Sequence, residues 1–304
     1  MSDLKLFEFN KGQATELAGS SHKLEKSLQA LFEQNLPTLL GVHFLVTEHA
    51  TGKTHAGRID TLGIDENGCP VIIEYKRSVS ENVVNQGLFY LDWLLDHQAE
   101  FKLLVLEQKG AEYAKKIDWS APRLICIAAD YKKYDEHAIR QINRNIDLIR
   151  YKRFGDHLMA LELAATVSAQ GAPQHHKGNE IQTKTTKRDN SIAATLQSSP
   201  EELRGLYEEL CKFILRLGDD VSQNDLKLYT AFRRLRNFAT VAAQTKNLRL
   251  YLHVDPDKVQ LEEGFTRDVR EIGHWGTGDL EVWLKDQADL EKAESLILNA
   301  YNAQ

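Results

Sequence analysis

The chain of 304 residues has only three cysteines (Cys69, Cys126, Cys211), and no two of them stand in a C-x-x-C pair. That excludes a disulfide framework and gives no sign of a structural zinc site. No apolar run approaches the roughly 20 residues a membrane-spanning helix needs, and the opening MSDLKLFEFN has no apolar signal core. A cytoplasmic protein without a membrane partner is expected. An excess of positive charge is missing too: 38 Lys and Arg against 44 Asp and Glu leave a net of −6, so the whole-chain field does not attract nucleic acid. Locally the balance differs. Tyr131 to Arg153 holds seven basic and three acidic residues, a net of +4. Hydrophobic residues make 42% and charged ones 27% of the chain, a composition of soluble globular domains rather than disordered or fibrous ones.

Chain length fits about two domains. The sharpest compositional change runs from Thr166 to Ser198, a polar stretch with no Phe, Tyr or Trp. Such a segment buries too little to offset its ordering entropy and reads as a linker; its adjacent His175 and His176 read as solvated residues. The expected divisions are 1–165, a linker over 166–198, and 199–304.

In the first division a helix is expected from His22 to Asn35, with Leu24, Leu28, Leu31 and Phe32 as its apolar stripe and Leu36-Pro37 as its end. Strands follow at 43–48, 57–64 and 70–75, then a helix at 81–95, a strand at 123–128, a helix at 135–145, and strands at 147–153 and 158–163. This order makes a mixed α/β layer. In the last division, helices at 200–217 and 291–300 and strands at 247–254 and 279–284 suggest a small α+β domain.

The chemistry concentrates in Gly57-Arg58-Ile59-Asp60, a turn at Asp65-Glu66-Asn67-Gly68, and Val71-Ile72-Ile73-Glu74-Tyr75-Lys76-Arg77. Alternation along a strand puts Glu74 and Lys76 on one face. A two-residue turn at Asn67-Gly68 would set Asp60 on the opposite face. A three-residue loop, Glu66-Asn67-Gly68 with Gly68 left-handed, pairs Asp65 with Cys69 and Asp60 with Glu74. The second register is expected. Two carboxylates and a lysine then converge: hard oxygen ligands for Mg²⁺ or Mn²⁺, and a cation to orient a water or offset charge at a phosphoryl group. The unbroken apolar run before Glu74 marks a central strand, whose terminal charges are costly to bury unless used.

Asp60 followed by Glu74-Tyr75-Lys76 resembles the active-site signature of the PD-(D/E)-x-K nuclease superfamily, with flanks similar to NucS-type DNA endonucleases over 24–163. The resemblance implies a restriction-endonuclease-like core, a mixed sheet flanked by helices. It also implies Mg²⁺- or Mn²⁺-dependent hydrolysis of DNA, with Asp60 and Glu74 as metal ligands and Lys76 as the catalytic lysine. Glu25 on the leading helix fits a further acidic metal ligand of the family, although Lys26 and Gln29 beside it read as a surface face. Gln86 and Tyr90, one turn apart, fit its Q-x-x-x-Y. Ile59 stands in place of the signature's proline, and the dimerisation domain that precedes NucS-type cores is not seen. A homodimer is a further implication, since such cores pair to cut two strands. Arg58, Arg77, Arg140 and Arg144 are the candidate nucleic-acid contacts, the last two expected one helical turn apart and spaced for adjacent phosphates. Glu48 reads as a strand-surface charge, and Phe89 and Trp93 as core packing.

The whole chain also resembles an uncharacterised bacterial family with a C-terminal domain of unknown function. Arg236-Asn237-Phe238, Leu248–Leu252 and Ile272-Gly273-His274-Trp275-Gly276 carry that likeness. Trp275 is expected as a core anchor with His274 at the surface, and Arg233, Arg234 and Arg236 as a second basic cluster.

Overall fold

A computed structural model describes residues 4–21, 25–77, 83–169 and 191–303. The chain forms two compact units: one of Met1–Asp65, Pro70–Ile117 and Pro122–Val167, the other of Glu66–Cys69, Asp118–Ala121 and Ser168–Gln304.

The first unit opens with a hairpin of β1 (Leu6–Asn10) and β2 (Gln13–Leu17), and the two-residue strand β3 (Gly19–Ser20) follows. Lys11 and Gly12 both take positive φ, 49° and 83°, the twist that suits a two-residue hairpin turn. Helix α1 (Glu25–Leu40) comes next, then β4 (Val42–Ala50), the short α2 (Gly52–His55), β5 (Arg58–Asp65) and β6 (Pro70–Lys76). Helices α3 (Val83–Asp96), α4 (Gln98–Lys109) and α5 (Ala111–Lys115) lead to β7 (Arg123–Ala128), α6 (Lys133–Ile139), β8 (Asn145–Phe154) and β9 (Leu158–Val167).

The main sheet runs β3-β8-β7-β6-β5-β4, with β9 also paired to β8. β6, β7 and β8 are parallel neighbours and the other pairs antiparallel, so the sheet is mixed, as expected. The parallel strands read as apolar runs because helices cover the sheet: Val71–Tyr75 and Leu124–Ala128 are buried throughout. Phe32 of α1 meets Tyr75 edge-on at 5.7 Å, which assigns Tyr75 to the α1 face. Cys126, on the Glu74 face of the ladder, reaches the Val83 carbonyl of α3. Glu74 therefore lies on the α3 face.

Three expectations need correction. Helix α1 does not stop at Leu36-Pro37 but continues to Leu40 with Pro37 inside it. A proline there removes one helical hydrogen bond, but Leu36 and Leu40 are both buried, at about 1.5–3 kcal/mol each; Gly41, with φ 63°, caps the helix on the Pro37 carbonyl. Its residues 22–24 lie outside the described residues. α6 ends at Ile139, six residues early, because residues 141 and 142 hydrogen-bond three residues back and the chain turns into β8. The linker is shorter at both ends, since β9 reaches Val167 and Ile192–Gln197 form a helix; most of what is left, with His175 and His176, lies outside the described residues.

In the second unit α7 (Ile192–Gln197), α8 (Glu201–Leu215) and the C-terminal α9 (Gln287–Asn302) pack against an antiparallel sheet. The sheet's strands are β10 (Ser222–Asp225), β11 (Thr230–Arg233), β12 (Asn237–Ala243), β13 (Leu248–Leu252), β14 (Thr266–Asp268) and β15 (Leu280–Leu284), in the order β10-β11-β12-β13-β15-β14. This is α+β. Trp275 is 49% exposed and is not the core anchor expected, while His274 is half-buried and stacks on Tyr251 at 4.7 Å. Two of the three arginines of the basic cluster are taken up, with Arg233 buried and Arg234 bound to Asp220 at 2.6 Å. Among the described residues no helix is long and apolar enough to cross a membrane.

Candidate active site

Strands β5 and β6 pair Ile64 with Pro70, Gly63 with Val71, Leu62 with Ile72 and Thr61 with Ile73. One further step sets Asp60 opposite Glu74, the register a three-residue loop requires; Gly68 has φ 82°. At that step side chains take over from the backbone ladder. The Asp60 amide donates to Glu74 Oε1 at 3.2 Å, and the Tyr75 amide donates to Asp60 Oδ2 at 3.0 Å. Each carboxylate thereby satisfies the strand amide beside the other. The two acids come together because the sheet opens there.

Glu74 is fully buried, and its Oε2 has no hydrogen-bond partner. Burial first, and then the Asp60 charge, push its pKa up to about 9, against the pull of the Asp60 amide and Lys76. Burial also raises Asp60, opposed by the Tyr75 amide and Lys76. Two carboxyl groups so close cannot both ionise freely, and the pair retains a proton near neutral pH.

Lys76 ends β6, and its Nζ lies 3.1 Å from Glu25 Oε1 at the first residue of α1. Burial alone would depress this ammonium. The Glu25 hydrogen bond and the charges of Glu25, Asp60 and Glu74 outweigh it and hold the pKa above the ordinary lysine value. Glu25 thus reaches the site through Lys76. Among the described residues no three or more His, Cys, Asp or Glu gather into a metal-holding group.

Gln29, expected at the surface, is buried. Its amide Nε2 donates to the Asp60 carbonyl at 2.7 Å and also meets Thr47 Oγ1 and Glu33 Oε1 at 3.0 Å each. Thr61 Oγ1 donates to the same Glu33 oxygen at 2.6 Å. Gln29, Glu33 and Thr61 thus brace the Asp60 backbone from the α1 side. The available signal was the spacing of Glu25, Gln29 and Glu33, one polar residue per turn beside the Leu28/Phe32 stripe.

Tyr90 is buried, and its hydroxyl accepts from the Arg58 amide at 3.1 Å; Gln86 Nε2 lies 3.5 Å from that hydroxyl. Tyr90, with Gln86 behind it, thus supports the backbone two positions before Asp60. The Tyr90 ring rests on Gly57, whose amide and carbonyl are both bonded to Thr51. A Cβ on Gly57 would come within 2.6 Å of the ring. Gly57→Ala is therefore expected to destabilise the first unit by about 1–3 kcal/mol, read by urea unfolding. Trimming the ring in a Gly57→Ala/Tyr90→Leu protein should recover part of the loss.

Glu48, on β4 between the Thr47–Thr61 and His49–Ile59 pairs, takes φ 51°, a strained value for a side chain of this kind. Its carboxylate meets Arg58 Nη1 at 3.3 Å. Arg58, Arg77, Arg140 and Arg144 are all exposed. Arg140 and Arg144 do not lie one turn apart on a helix, since Arg140 caps α6 and Arg144 sits in the turn before β8. Arg150 is held by Asp130 at 2.6 Å and Glu162 at 2.9 Å. Trp93 is buried, as expected, but Phe89 is 48% exposed and packs on His55 at 4.8 Å.

The chain is 31% identical over 304 residues to an uncharacterised protein of Haemophilus influenzae, covering 98% of this chain and 99% of that one. Residues 192–304 match the family described as "Domain of unknown function (DUF5655)". A repair endonuclease from Pyrococcus abyssi is 16% identical, with a TM-score of 0.29, over 48% of this chain and 64% of its own. An EndoMS–dsDNA2 complex is 21% identical, with a TM-score of 0.25, over 45% and 47%. This chain thus spans less than two thirds of each of those two structures.

Proposed function

Because the chain belongs to one family with the Haemophilus influenzae protein, whose name carries no activity, we propose its function from its own site: a cytoplasmic, metal-dependent nuclease that hydrolyses phosphodiester bonds in DNA. The observation that carries this reading is the buried, unpartnered Oε2 of Glu74 beside the Asp60 carboxylate, with Lys76 two residues along the same strand. A buried carboxylate oxygen without a donor is a costly arrangement unless a cation completes it. The donor set fits a hard divalent ion such as Mg²⁺ or Mn²⁺ held by Asp60 and Glu74, with water in its remaining positions. When bound, such an ion supplies Lewis acidity at a phosphoryl oxygen and lowers the pKa of a coordinated water.

The residues of the chain do the rest. The amides of Asp60 and Tyr75 keep the carboxylates aimed before any ligand arrives, so little reorganisation accompanies binding. Lys76, kept charged by Glu25, donates toward the attacking water or the charge developing on the phosphoryl group. Gln29 and Tyr90 fix the strand from opposite faces of the sheet. Arg58 and Arg77 are exposed beside the site and suit the neighbouring phosphates, with Arg140 and Arg144 as further cationic contacts.

A panel of labelled single-stranded, duplex, flapped and mismatched DNA with Mg²⁺ or Mn²⁺ tests this. Wild type is expected to cut at least one substrate. Lys76→Ala should lower the rate about 100-fold or more with an unchanged melting temperature. Undiminished cutting by Lys76→Ala removes the proposed role of the lysine. DNA binding without cutting by wild type would leave a non-catalytic binding module on the same core.

A further inference from the structure

Strand β4 brings a further carboxylate level with Asp60 and Glu74. The pairs Thr47–Thr61 and His49–Ile59 leave Asp60 as the residue opposite Glu48, and one step beyond Thr61–Ile73 the same Asp60 stands opposite Glu74. Glu48, Asp60 and Glu74 thus occupy one level of three neighbouring strands, where opposed Cα atoms lie about 4.5–5.5 Å apart. Burial raises the Asp60 pKa most, and the charges of Glu25 and Glu48 add to it.

Glu48 is not an ordinary strand residue. Thr47 meets Gln29 of α1 at 3.0 Å, whereas the ring of His49 packs on Trp93 of α3 at 5.1 Å. Residues i and i+2 of a regular strand share a face, so the alternation breaks at Glu48, where φ is 51°. Glycine takes that conformation freely, yet the chain carries a glutamate there. Its half-buried carboxylate is held at 3.3 Å by Arg58, whose own side chain is 64% exposed. An ion pair this close to water is weak and readily exchanged. Held there, Glu48 leaves no three acids gathered for a metal among the described residues.

Glu25, the acid that the family resemblance places at the metal, is committed elsewhere. Its Oε1 lies 3.1 Å from Lys76 Nζ, and drawing it to an ion would strip the lysine of that partner. Releasing Glu48 instead also frees Arg58 for a phosphate. The need for a further ligand is set by Glu74, whose Oε2 is buried and unpartnered, and by a hard divalent ion, whose positions two carboxylates fill only in part.

We propose that Glu48 is the third carboxylate of the divalent-ion site, withheld by Arg58 until that arginine finds another anion. The inference rests on the proposed metal dependence and replaces one of the waters there with a side chain of β4. A DNA phosphate that engages Arg58 frees Glu48 in the same exchange, so ion and substrate each favour the binding of the other.

Calorimetric titration of the full chain with Mn²⁺, without nucleic acid, tests this as a double-mutant cycle. Both side chains reach the surface, so Glu48→Gln, Arg58→Ala and the double variant should keep the wild-type circular dichroism. Arg58→Ala is expected to bind Mn²⁺ about tenfold more tightly than wild type, and in the Glu48→Gln background the same substitution should gain less than about twofold. A through-space effect of charge alone gives the same gain in both backgrounds. That result, or no gain at all, overturns the inference and leaves the nuclease reading in place. Failure of both wild type and Arg58→Ala to bind Mn²⁺ at millimolar concentration overturns the two together.

Discussion

Glu74→Gln is expected to make the metal-free protein more stable than wild type at mildly alkaline pH while abolishing its thermal response to Mg²⁺ and Mn²⁺. The sign follows from linkage. Burial and the neighbouring Asp60 lift the Glu74 pKa from its ordinary 4.5 to about 9. Between those values the folded protein holds a proton that the unfolded chain has released. The contribution of this group is fully present below about 4.5 and is lost as pH rises toward and through about 9. A tenfold change in an acid's dissociation constant corresponds to about 1.4 kcal/mol, so the wild-type carboxyl loses on the order of a few kcal/mol across that window. Glutamine mimics the protonated acid and does not titrate. The two proteins should therefore match at and below about pH 4.5 and diverge as pH rises from there. On the proposed reading a divalent ion would take the proton's place in wild type, and adding Mg²⁺ or Mn²⁺ should then restore the lost stability and release protons into weakly buffered solution. A wild-type melting temperature that stays level from mild acid to mild alkali would sink this account of Glu74.

The second large effect concerns a pair that plays no part in the chemistry. Arg123 at the start of β7 and Asp147 on β8 meet at 2.5 Å with both side chains essentially inaccessible, and Thr166 Oγ1 of β9 donates to the same carboxylate at 2.6 Å. Asp147→Ala leaves a guanidinium buried beside an apolar gap. Breaking one side of such a pair costs about 3–5 kcal/mol, a large fraction of the stability of a domain. Denaturant unfolding of the first unit should show that loss. Replacing both partners, Arg123→Met with Asp147→Leu, should recover most of it, because the attraction within a buried pair roughly offsets the desolvation of its charges. If the double variant is as unstable as the single one, the pair contributes more than its own mutual compensation.

The geometry of the candidate site was unusually legible because one local feature controlled it. The spacing from Asp60 to Glu74 and a loop ending in Gly68 leave two registers, and only one joins the carboxylates. Strand alternation did the rest. Gln29 shows the opposite case. Its neighbours Lys26 and Glu25 read as a solvated face, and only the approach of α1 to the sheet turns that position inward to the Asp60 carbonyl. Tyr90 was legible as a residue near the site, but its bond to the Arg58 amide depends on Gly57 leaving room for the ring. α4 and α5 escaped notice because only Phe101, Val105 and Ala114 are buried in them, too thin a stripe to declare a helix.

The order of α1, α3, α6 and strands β4 to β9, and the β5–β6 register that brings Asp60 to Glu74, could be read from the sequence, since each rests on periodicity or on a turn between adjacent elements; β1 to β3, α2, α4 and α5 could not. Tertiary structure decided what depends on distant segments. The continuation of α1 through Pro37 was set by burial of Leu36 and Leu40. The exposure of Trp275, beside a His274 that stacks on Tyr251, was decided by how that loop packs. The raised Glu74 carboxyl came from a strand pair that opens into a dry interior. Burial is a property of the assembled layers, and pKa shifts, cap choices and ion pairs follow burial.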